Sequence, residues 1–428
     1  MRAALWLLAL FAVAVAAALF AGNNQGTLTL FWPPYRIDLS LNLVLITLTA
    51  AFVVFHLALR ALAALFEMPL QARRWRAQQK ERATHTALLD ALGHLLAGRF
   101  IRARKAALAA LAREKALDAA GERLAHGAQL RAMAHLVAAE SAQALQDRTS
   151  RDEHLQQALD QTQGRLGASA QEIREGTQLR AARWALDERD VQASLGWLEA
   201  LPVGAQRRTA ALRIRLKAAR LARQTAVALE TARLLAKHRA FSPVAAQSLL
   251  RGLIGDLIQD AHDLPQLQRV WNALDASERL MPEIAAQAAR RLLTVSGDGA
   301  LACAWLLPVW EAAIERSTDL GVVQRVRLVR TLEDGLAAAD AHAKRDWLAR
   351  IELAQQRHPR DATLQYLAGK ACMDRQLWGK AQQLLAPAAV ALQDTELRAS
   401  AWRALAELAE QRGDADAAAQ AWKAAALS

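Results

Sequence analysis

Residues 39–59 read LSLNLVLITLTAAFVVFHLAL, and this stretch decides how the rest of the chain is organised. Thirteen of its 21 residues are Leu, Ile, Val or Phe. The gain from inserting these side chains into lipid therefore exceeds the cost of the few polar ones. A helix of about 20 residues, rising about 1.5 Å per residue, crosses a hydrocarbon core about 30 Å thick. The stretch is predicted to span a membrane.

The charges that follow this span indicate which side of the membrane they face. Residues 60–82 contain six basic and two acidic side chains, a net charge of +4. Such an excess of Lys and Arg marks the cytoplasmic side of a bacterial membrane. The segment 67–83 is therefore predicted to be a basic helix beside the bilayer, with Arg73, Arg74 and Arg76 at the interface. All later residues are predicted to lie in the cytoplasm.

A second apolar run, residues 3–21, precedes the first and carries no charge. We interpret it as a retained helix rather than a cleaved signal peptide, because a single Arg precedes 19 apolar residues. The loop between the runs contains Trp32 and Tyr35, and aromatic side chains prefer the membrane interface. Residues 1–66 are thus predicted to form a transmembrane helical hairpin, a multi-pass anchor with aromatic side chains at its turn.

The composition beyond the spans favours helices. Ala and Leu dominate, whereas Gly (20 of 428 residues), Pro (10) and β-branched residues are few, so the fold class is predicted to be all-α. Cys303 and Cys372 are predicted to be reduced, buried core residues, because cytoplasmic thiols stay reduced. The net charge of +12 is partly explained by the membrane-flanking run, and no base-recognition motif accompanies the rest. Nucleic acid is not a predicted partner.

The end of the chain contains two helix–turn–helix units, 362–393 and 399–428, that resemble the tetratricopeptide repeat. Small residues occupy the positions where the two helices of a unit would cross, and large residues fill the adjacent groove. The residues predicted to pack these repeats are Gly369, Trp378, Ala381, Leu385, Ala388, Trp402, Leu405, Ala418, Trp422 and Ala425.

Weaker copies of the repeat occur upstream, in residues 84–112 and 178–202. Residues 240–345 are predicted to be helical without the repeat consensus. The polar stretch 146–175 is interpreted as an exposed helix or a flexible join. We therefore predict two N-terminal transmembrane helices followed by an α-solenoid over residues 84–428.

Catalytic and metal-binding motifs are absent from the sequence. It contains no His-x-x-x-His, Cys-x-x-Cys or His-Glu-x-x-His, and no Gly-x-x-x-x-Gly-Lys that could hold a phosphate. The nine Trp residues from Trp184 to Trp422 could stack on a porphyrin, but helical spacing favours core packing for most of them. We predict a protein that is not an enzyme and has no resident cofactor.

A cluster of seven cations lies within residues 200–229, which include no acidic residue. Its members are Arg207, Arg208, Arg213, Arg215, Lys217, Arg220 and Arg223. Like charges spaced by one helical turn repel, so an anionic neighbour is expected. One interpretation is that glutamates of an adjacent repeat neutralise them. The other is that they bind an acidic partner protein, lipid headgroups or porphyrin propionates. Our hypothesis is an acidic partner on a concave repeat surface.

Three sequence features together resemble the proteobacterial HemY family. They are the two spans around Phe31–Ile37 (FWPPYRI), the basic segment after them, and His358–Pro359 followed by Leu377–Ala381 (LWGKA). The resemblance implies an inner-membrane protein with a cytoplasmic repeat domain, associated with late protohaem synthesis, and it implies no catalytic residues. Flavin-dependent protoporphyrinogen oxidases that share the family name differ, because this chain lacks a Gly-x-Gly-x-x-Gly for a flavin.

The function predicted from the resemblance is a non-catalytic scaffold that gathers terminal enzymes of haem synthesis through its repeats. The implied partners are ferrochelatase or a protoporphyrinogen-oxidising enzyme, together with the lipid bilayer. Two alternatives stay open: a carrier that binds haem or protoporphyrin itself, and a general scaffold for the assembly of envelope proteins.

Overall fold

The computed structural model describes residues 11–18, 22, 25–164, 167–315 and 320–428. Within these ranges the chain is helical apart from one β-hairpin, which confirms the predicted all-α class. The chain divides into two compact units, unit 1 (Met1–Arg174) and unit 2 (Glu175–Ser428). Each unit has its own packed helices.

Unit 1 contains the hairpin and the first helices. Its elements are α1 (residues 11–18), β1 (Thr27–Trp32), β2 (Tyr35–Ser40), α2 (Leu41–Leu96), α3 (Phe100–Ala119), α4 (Gly127–Ala144), α5 (Arg148–Thr162) and the start of α6 (Ala168–Asp187).

The loop predicted between the two apolar runs is an antiparallel β-hairpin. Its register pairs Thr27 with Ser40 at the open end and Trp32 with Tyr35 beside the turn. Thr and Leu alternate along β1, as a strand requires. The Ser40 side chain accepts a hydrogen bond from the backbone N–H of Leu43 (3.3 Å), and this N-cap begins α2 two residues after the start of the apolar run.

Helix α2 has 56 residues and is about 84 Å long. Its first part, Leu41–Leu62, is long and apolar enough to cross a membrane, and it is the one such helix in the described residues. The other predicted span is residues 3–21. The structure describes residues 11–18 of it, which form α1. The boundaries predicted at residues 66 and 83 fall inside α2, so no break separates the span from the repeat helices.

Alanines let the helices of unit 1 approach closely. Ala103, Ala107 and Ala110 of α3, which the weak repeat predicts at a crossing, are fully buried against α2 and α4. The interpretation of residues 146–175 as an exposed helix or a join is wrong for α5. This helix packs on α4 and buries Leu155 and Ala158, because its few apolar residues share one face.

Unit 2 contains the end of α6 and fifteen further helices in the described residues. They are α7 (Val191–Glu199), α8 (Val203–Gln206), α9 (Thr209–Leu221), α10 (Thr225–Lys237), α11 (Pro243–Asp260), α12 (Leu264–Asn272), α13 (Ala276–Arg279), α14 (Pro282–Ser296), α15 (Gly299–Trp310), α16 (Val322–Ala338), α17 (Ala341–Arg357), α18 (Ala362–Asp374), α19 (Trp378–Ala391), α20 (Thr395–Gln411) and α21 (Ala415–Leu427). A π-helical turn, Glu311–Glu315, follows α15.

Helices α14 and α15, α18 and α19, and α20 and α21 pack as helix pairs. Helices α14, α16, α18 and α20 also contact one another in order, and we call them the first-helix row. One hydrophobic core extends from Leu212 of α9 through these helices to Leu408 of α20. Stacking of helix pairs in this way buries a continuous core that no single pair could bury alone.

The predicted crossing of α18 and α19 is tight. A Cβ atom on Gly369 would lie 2.5 Å from Cγ of Leu385, so glycine is needed there. Ala381, Leu385 and Ala388 are fully buried on the facing side of α19, and Trp378 is partly buried against the same core. These positions are those of a helix pair whose backbones approach closely.

The last predicted repeat packs less completely. Trp402 and Leu405 are partly buried against the core, Ala418 is buried and Ala425 is half-buried. Trp422 does not occupy the core position predicted for it, because α21 packs chiefly against α20. Its side chain is 40% exposed, and its Nε1–H donates a hydrogen bond to Oε1 of Glu410 (2.8 Å).

Candidate functional site

The seven predicted partner-binding cations lie around helix α9 in unit 2, and all seven are exposed. Arg207 follows α8, Arg208 immediately precedes α9, and Arg223 has φ +57° in the turn before α10. Helix α9 is amphipathic: Leu212 and Leu216 are buried in the core, so the basic side chains occupy the opposite face. We call these seven residues the α9 basic surface.

Acidic residues of helix α6 neutralise part of the α9 basic surface. Arg208 forms an ion pair with Glu175 of α6 (2.8 Å), and Lys217 lies 3.9 Å from Asp187 at the end of α6. Arg213 instead donates to the backbone oxygen of Ala240 (3.0 Å). The acidic neighbours come from an adjacent helix, as one of the two sequence interpretations expects.

Four members of the α9 basic surface have neither an ion pair nor a side-chain hydrogen bond in the described residues. These four are Arg207, Arg215, Arg220 and Arg223. Arg215 also lines a groove of about 200 Å³ beside Gln206. Exposed guanidinium groups of this kind can bind carboxylates or phosphates through paired N–H donors. Their binding to a partner remains a prediction.

The predicted membrane-interface residues are exposed where the structure describes them. Trp32 and Tyr35 are 73% and 70% exposed at the tip of the β-hairpin. Arg76 is exposed on α2, whereas the side chains of Arg73 and Arg74 lie outside the described part of the chain. Contact of these residues with lipid headgroups stays a prediction.

The two cysteines offer no nucleophile. Both thiols are free and buried, as predicted. Burial raises the pKa of Cys303 to about 12 and also raises the pKa of Cys372. The thiolate is the reactive form of cysteine, so both side chains are inert core groups.

Most of the tryptophans fill the core of unit 2. The rings of Trp271 and Trp305 stack with their centroids 4.7 Å apart, and both side chains are buried. Trp310 and Trp347 are also buried and meet edge to face, with centroids 5.7 Å apart. These rings already have aromatic partners inside the protein, so they form no open platform for a porphyrin.

A histidine pair in unit 1 was not identified from the sequence. His135 of α4 and His154 of α5 lie with their Nδ1 atoms 3.1 Å apart and their ring centroids 5.3 Å apart. Burial lowers the pKa of His135 to about 4, and electrostatic repulsion from His154 and Arg131 contributes to the shift. A separation of 19 residues matches no metal motif, and the described residues contain no group of three potential metal ligands. Burial and then Arg104 also lower the pKa of His154, and the pKa of about 4 leaves His135 neutral at pH 7.

Acid is expected to destabilise unit 1 through His135. Because its pKa is about 4 in the folded chain and about 6.5 when unfolded, the unfolded chain binds the proton more readily. The full stability is present above pH 6.5 and declines as the pH falls towards 4. The urea concentration at the unfolding midpoint of unit 1 should fall less steeply over this pH range in His135→Asn than in the unmodified protein. Hydrogen exchange of the backbone amides of α4 and α5 reports the unfolding of this unit. Equal slopes in the two proteins would contradict this account.

The comparisons with known proteins concern unit 1 most directly. Residues 26–146, which include both strands and helices α2, α3 and α4, match the family model described as the HemY protein N-terminus. No curated protein matches the chain.

The solved structures that are similar to the chain include the following two. One is a structure of Naa15/Naa10 bound to HypK-THB, which is 13% identical in sequence. The similarity covers 79% of this chain and 58% of that chain, with a TM-score of 0.26. The other is a crystal structure of the P58(IPK) TPR domain, which is 15% identical; the similarity covers 77% of this chain and 99% of that chain, with a TM-score of 0.24. Both TM-scores are too low to show a shared fold. The family match over the hairpin, the span and the first packed helices confirms the predicted resemblance of this part of the chain to the HemY family.

Proposed function

We propose that the protein is a membrane-anchored, non-catalytic scaffold acting in a late step of protohaem biosynthesis. The observation that carries this proposal is helix α2, which is both the membrane-capable span and a packed member of the helical domain. A rigid connection of this kind holds a helical repeat surface beside the bilayer. The match of residues 26–146 to the HemY N-terminus model supports a role in haem synthesis.

The proposed topology has two membrane spans, with both units of packed helices on the cytoplasmic side of a bacterial inner membrane. The net charge of +4 in residues 60–82 supports this orientation. The second span would be formed by residues 3–21, of which 11–18 are helical in the structure. The exposed Trp32 and Tyr35 would then lie at the opposite interface.

The proposed partners are ferrochelatase or a protoporphyrinogen-oxidising enzyme. The α9 basic surface would bind an acidic face of one of them, chiefly through the four guanidinium groups that have neither an ion pair nor a hydrogen bond in the described residues. Tethering two enzymes raises their effective concentration without any new active site. A poorly soluble porphyrin would then pass between neighbouring enzymes.

Charge reversal of the α9 basic surface is expected to release the partner. The variant combines Arg215→Glu, Arg220→Glu and Arg223→Glu, which leave the ion pairs with α6 intact. Tagged full-length protein is captured from mild-detergent membranes, bound proteins are identified by mass spectrometry, and bound pigment is measured by absorbance. Recovery of the partner enzyme should fall about tenfold or more, because close charge pairs across an interface are replaced by repulsion.

The matched control combines Arg345→Glu, Arg357→Glu and Arg375→Glu, three exposed arginines elsewhere in unit 2 that have no ion-pair partner in the described residues. Its recovery should equal that of the unmodified protein, and both variants should keep full helicity by circular dichroism. Equal recovery in both variants would refute the role of the α9 basic surface. Stoichiometric pigment without either enzyme would replace the scaffold by a porphyrin carrier.

A further inference from the structure

A second charged groove lies on the first-helix row, separate from the α9 basic surface. It has a volume of about 400 Å³ and is bounded by α14, α16 and the turn before α20. Its lining includes Arg290 of α14, and Val322, Val323, Arg327 and Arg330 of α16. We call it the α16 groove. It joins an apolar surface to three guanidinium groups.

The apolar part of the α16 groove is exposed. Val322 and Val323 are 65% and 72% exposed, although they are adjacent and β-branched. One turn further along, Val326 is partly buried against the core of unit 2. The exposed valines therefore extend the hydrophobic core to the surface, where an apolar side chain of a partner could cover them.

The basic part of the groove has unused donors. Arg327 is exposed and has no ion-pair partner in the described residues. Arg290 uses its Nε–H to donate to Oγ1 of Thr331 (3.0 Å), which leaves its two terminal nitrogens available. Asp334, on α16, interacts electrostatically with Arg290 and offsets part of this charge. Arg327 is thus the cation that most lacks a counterion.

The third cation of the groove is already neutralised. Arg330 forms ion pairs with the carboxylates of Asp394, which also lines the groove, and Glu396, at the start of α20. Arg327 and Arg290 are therefore the cations left to pair with a carboxylate of a partner. The groove lining contains no aromatic ring on which a nucleic-acid base could stack, and phosphate alone would leave the two valines uncovered.

We propose that the α16 groove binds an extended acidic segment of a partner protein. Carboxylates of the segment pair with Arg327 and Arg290, and a neighbouring apolar side chain covers Val322 and Val323. The inference rests on the proposed function only in that unit 2 recruits proteins, and it adds the chemistry that the recruited segment must have. Charge and apolar contact act together, so neither alone gives tight binding.

The test uses the full-length protein in detergent micelles and a library of short, dye-labelled peptides. In these peptides Asp or Glu alternates with Leu or Val in every register. A second library has Ser in place of each apolar residue, and phosphatidylglycerol vesicles serve as a phosphate-bearing probe. Fluorescence anisotropy reports binding. Members of the first library should bind saturably, and the affinity should decrease as salt is added.

Two variants and one control locate the binding site. Arg327→Glu and Val323→Asp should each weaken peptide binding about tenfold or more, whereas Arg345→Glu should change it less than about twofold. Arg345 lies on α17, outside the groove, and is also exposed, so its reversal changes the net charge equally.

Four results would overturn the proposal. Saturable binding to no peptide of the first library, or equal binding of the Ser library, would exclude an acidic and apolar segment as the ligand. Vesicle binding without peptide binding would indicate a lipid site instead. An equal loss in Arg345→Glu would show non-specific attraction. Partner capture through the α9 basic surface does not depend on these peptides, so the two proposals can fail separately.

Discussion

Gly299→Ala is expected to lower the free energy of unfolding of unit 2 by about 3 kcal/mol or more. Gly299 begins α15, where this helix meets α16. A Cβ atom on Gly299 would lie 2.2 Å from the backbone oxygen of Gly335 and 2.4 Å from the backbone nitrogen of Ala339. Backbone atoms cannot turn aside as a flexible side chain can, so the two helices would have to separate and their buried core would loosen.

The matched control for this prediction is Gly252→Ala. Gly252 is exposed within α11, and a Cβ atom there would meet nothing within 4 Å. The substitution should be neutral or should stabilise the helix by up to about 1 kcal/mol, because alanine favours helix formation over glycine. Urea unfolding followed by tryptophan fluorescence measures both effects, since Trp305 and Trp310 of α15 lie in the core of unit 2. A midpoint for Gly299→Ala equal to that of the control would contradict the tight crossing.

The two glycine crossings differ in how far the sequence reveals them. Gly369 lies in a repeat that recurs, so its role at the crossing with α19 could be predicted from the spacing alone. Gly299 and Gly335 are also packed at a crossing, but they lie within residues 240–345, which lack the repeat consensus. Close packing requires only that two small residues meet in space. No local sequence pattern indicates that these two glycines lie close together.

The two basic surfaces also differ in whether the sequence alone predicts them. The α9 basic surface could be predicted because its cations lie within 17 consecutive residues, 207–223. The α16 groove combines Arg290 of α14 with Arg327 and Arg330 of α16, and packing of α14 against α16 brings them together. The partial neutralisation of Arg208 by Glu175 likewise depends on packing between helices.

The sequence correctly predicted the apolar span of the N-terminal region but did not predict the β-hairpin before it. Hydropathy predicts a span over residues 39–59, and the apolar helix covers Leu41–Leu62. The start differs because hydropathy does not detect strand pairing: β2 continues through Ser40, which then caps the helix. The alternation of Thr and Leu in residues 27–30 is a strand pattern that could have indicated the hairpin.

Glu278→Ala is expected to destabilise unit 2 by about 2–3 kcal/mol, because it removes charge-assisted hydrogen bonds from Arg233, whose side chain is 27% exposed. Glu278 is 3% exposed, and Arg233 of α10 binds it with both arms: Nε to Oε1 at 2.9 Å and Nη2 to Oε2 at 2.5 Å. Oε2 also accepts the backbone N–H of Asp275 (2.9 Å), so the same carboxylate caps α13. The hydrogen bond to Glu278 raises the pKa of Arg233, which stays charged after the substitution.

A double variant separates the cost of the abandoned charge from the value of the ion pair itself. Arg233→Met combined with Glu278→Leu replaces both charges by apolar side chains and should recover most of the stability lost in Glu278→Ala. The helix cap on Asp275 would still be missing, at a cost of about 1 kcal/mol. Glu352→Ala, which breaks the more exposed pair with Lys380 (2.7 Å), should cost less than about 1 kcal/mol. If the double variant is no more stable than Glu278→Ala, the attraction between the two groups, rather than the uncompensated charge of Arg233, stabilises this contact between α10 and α13.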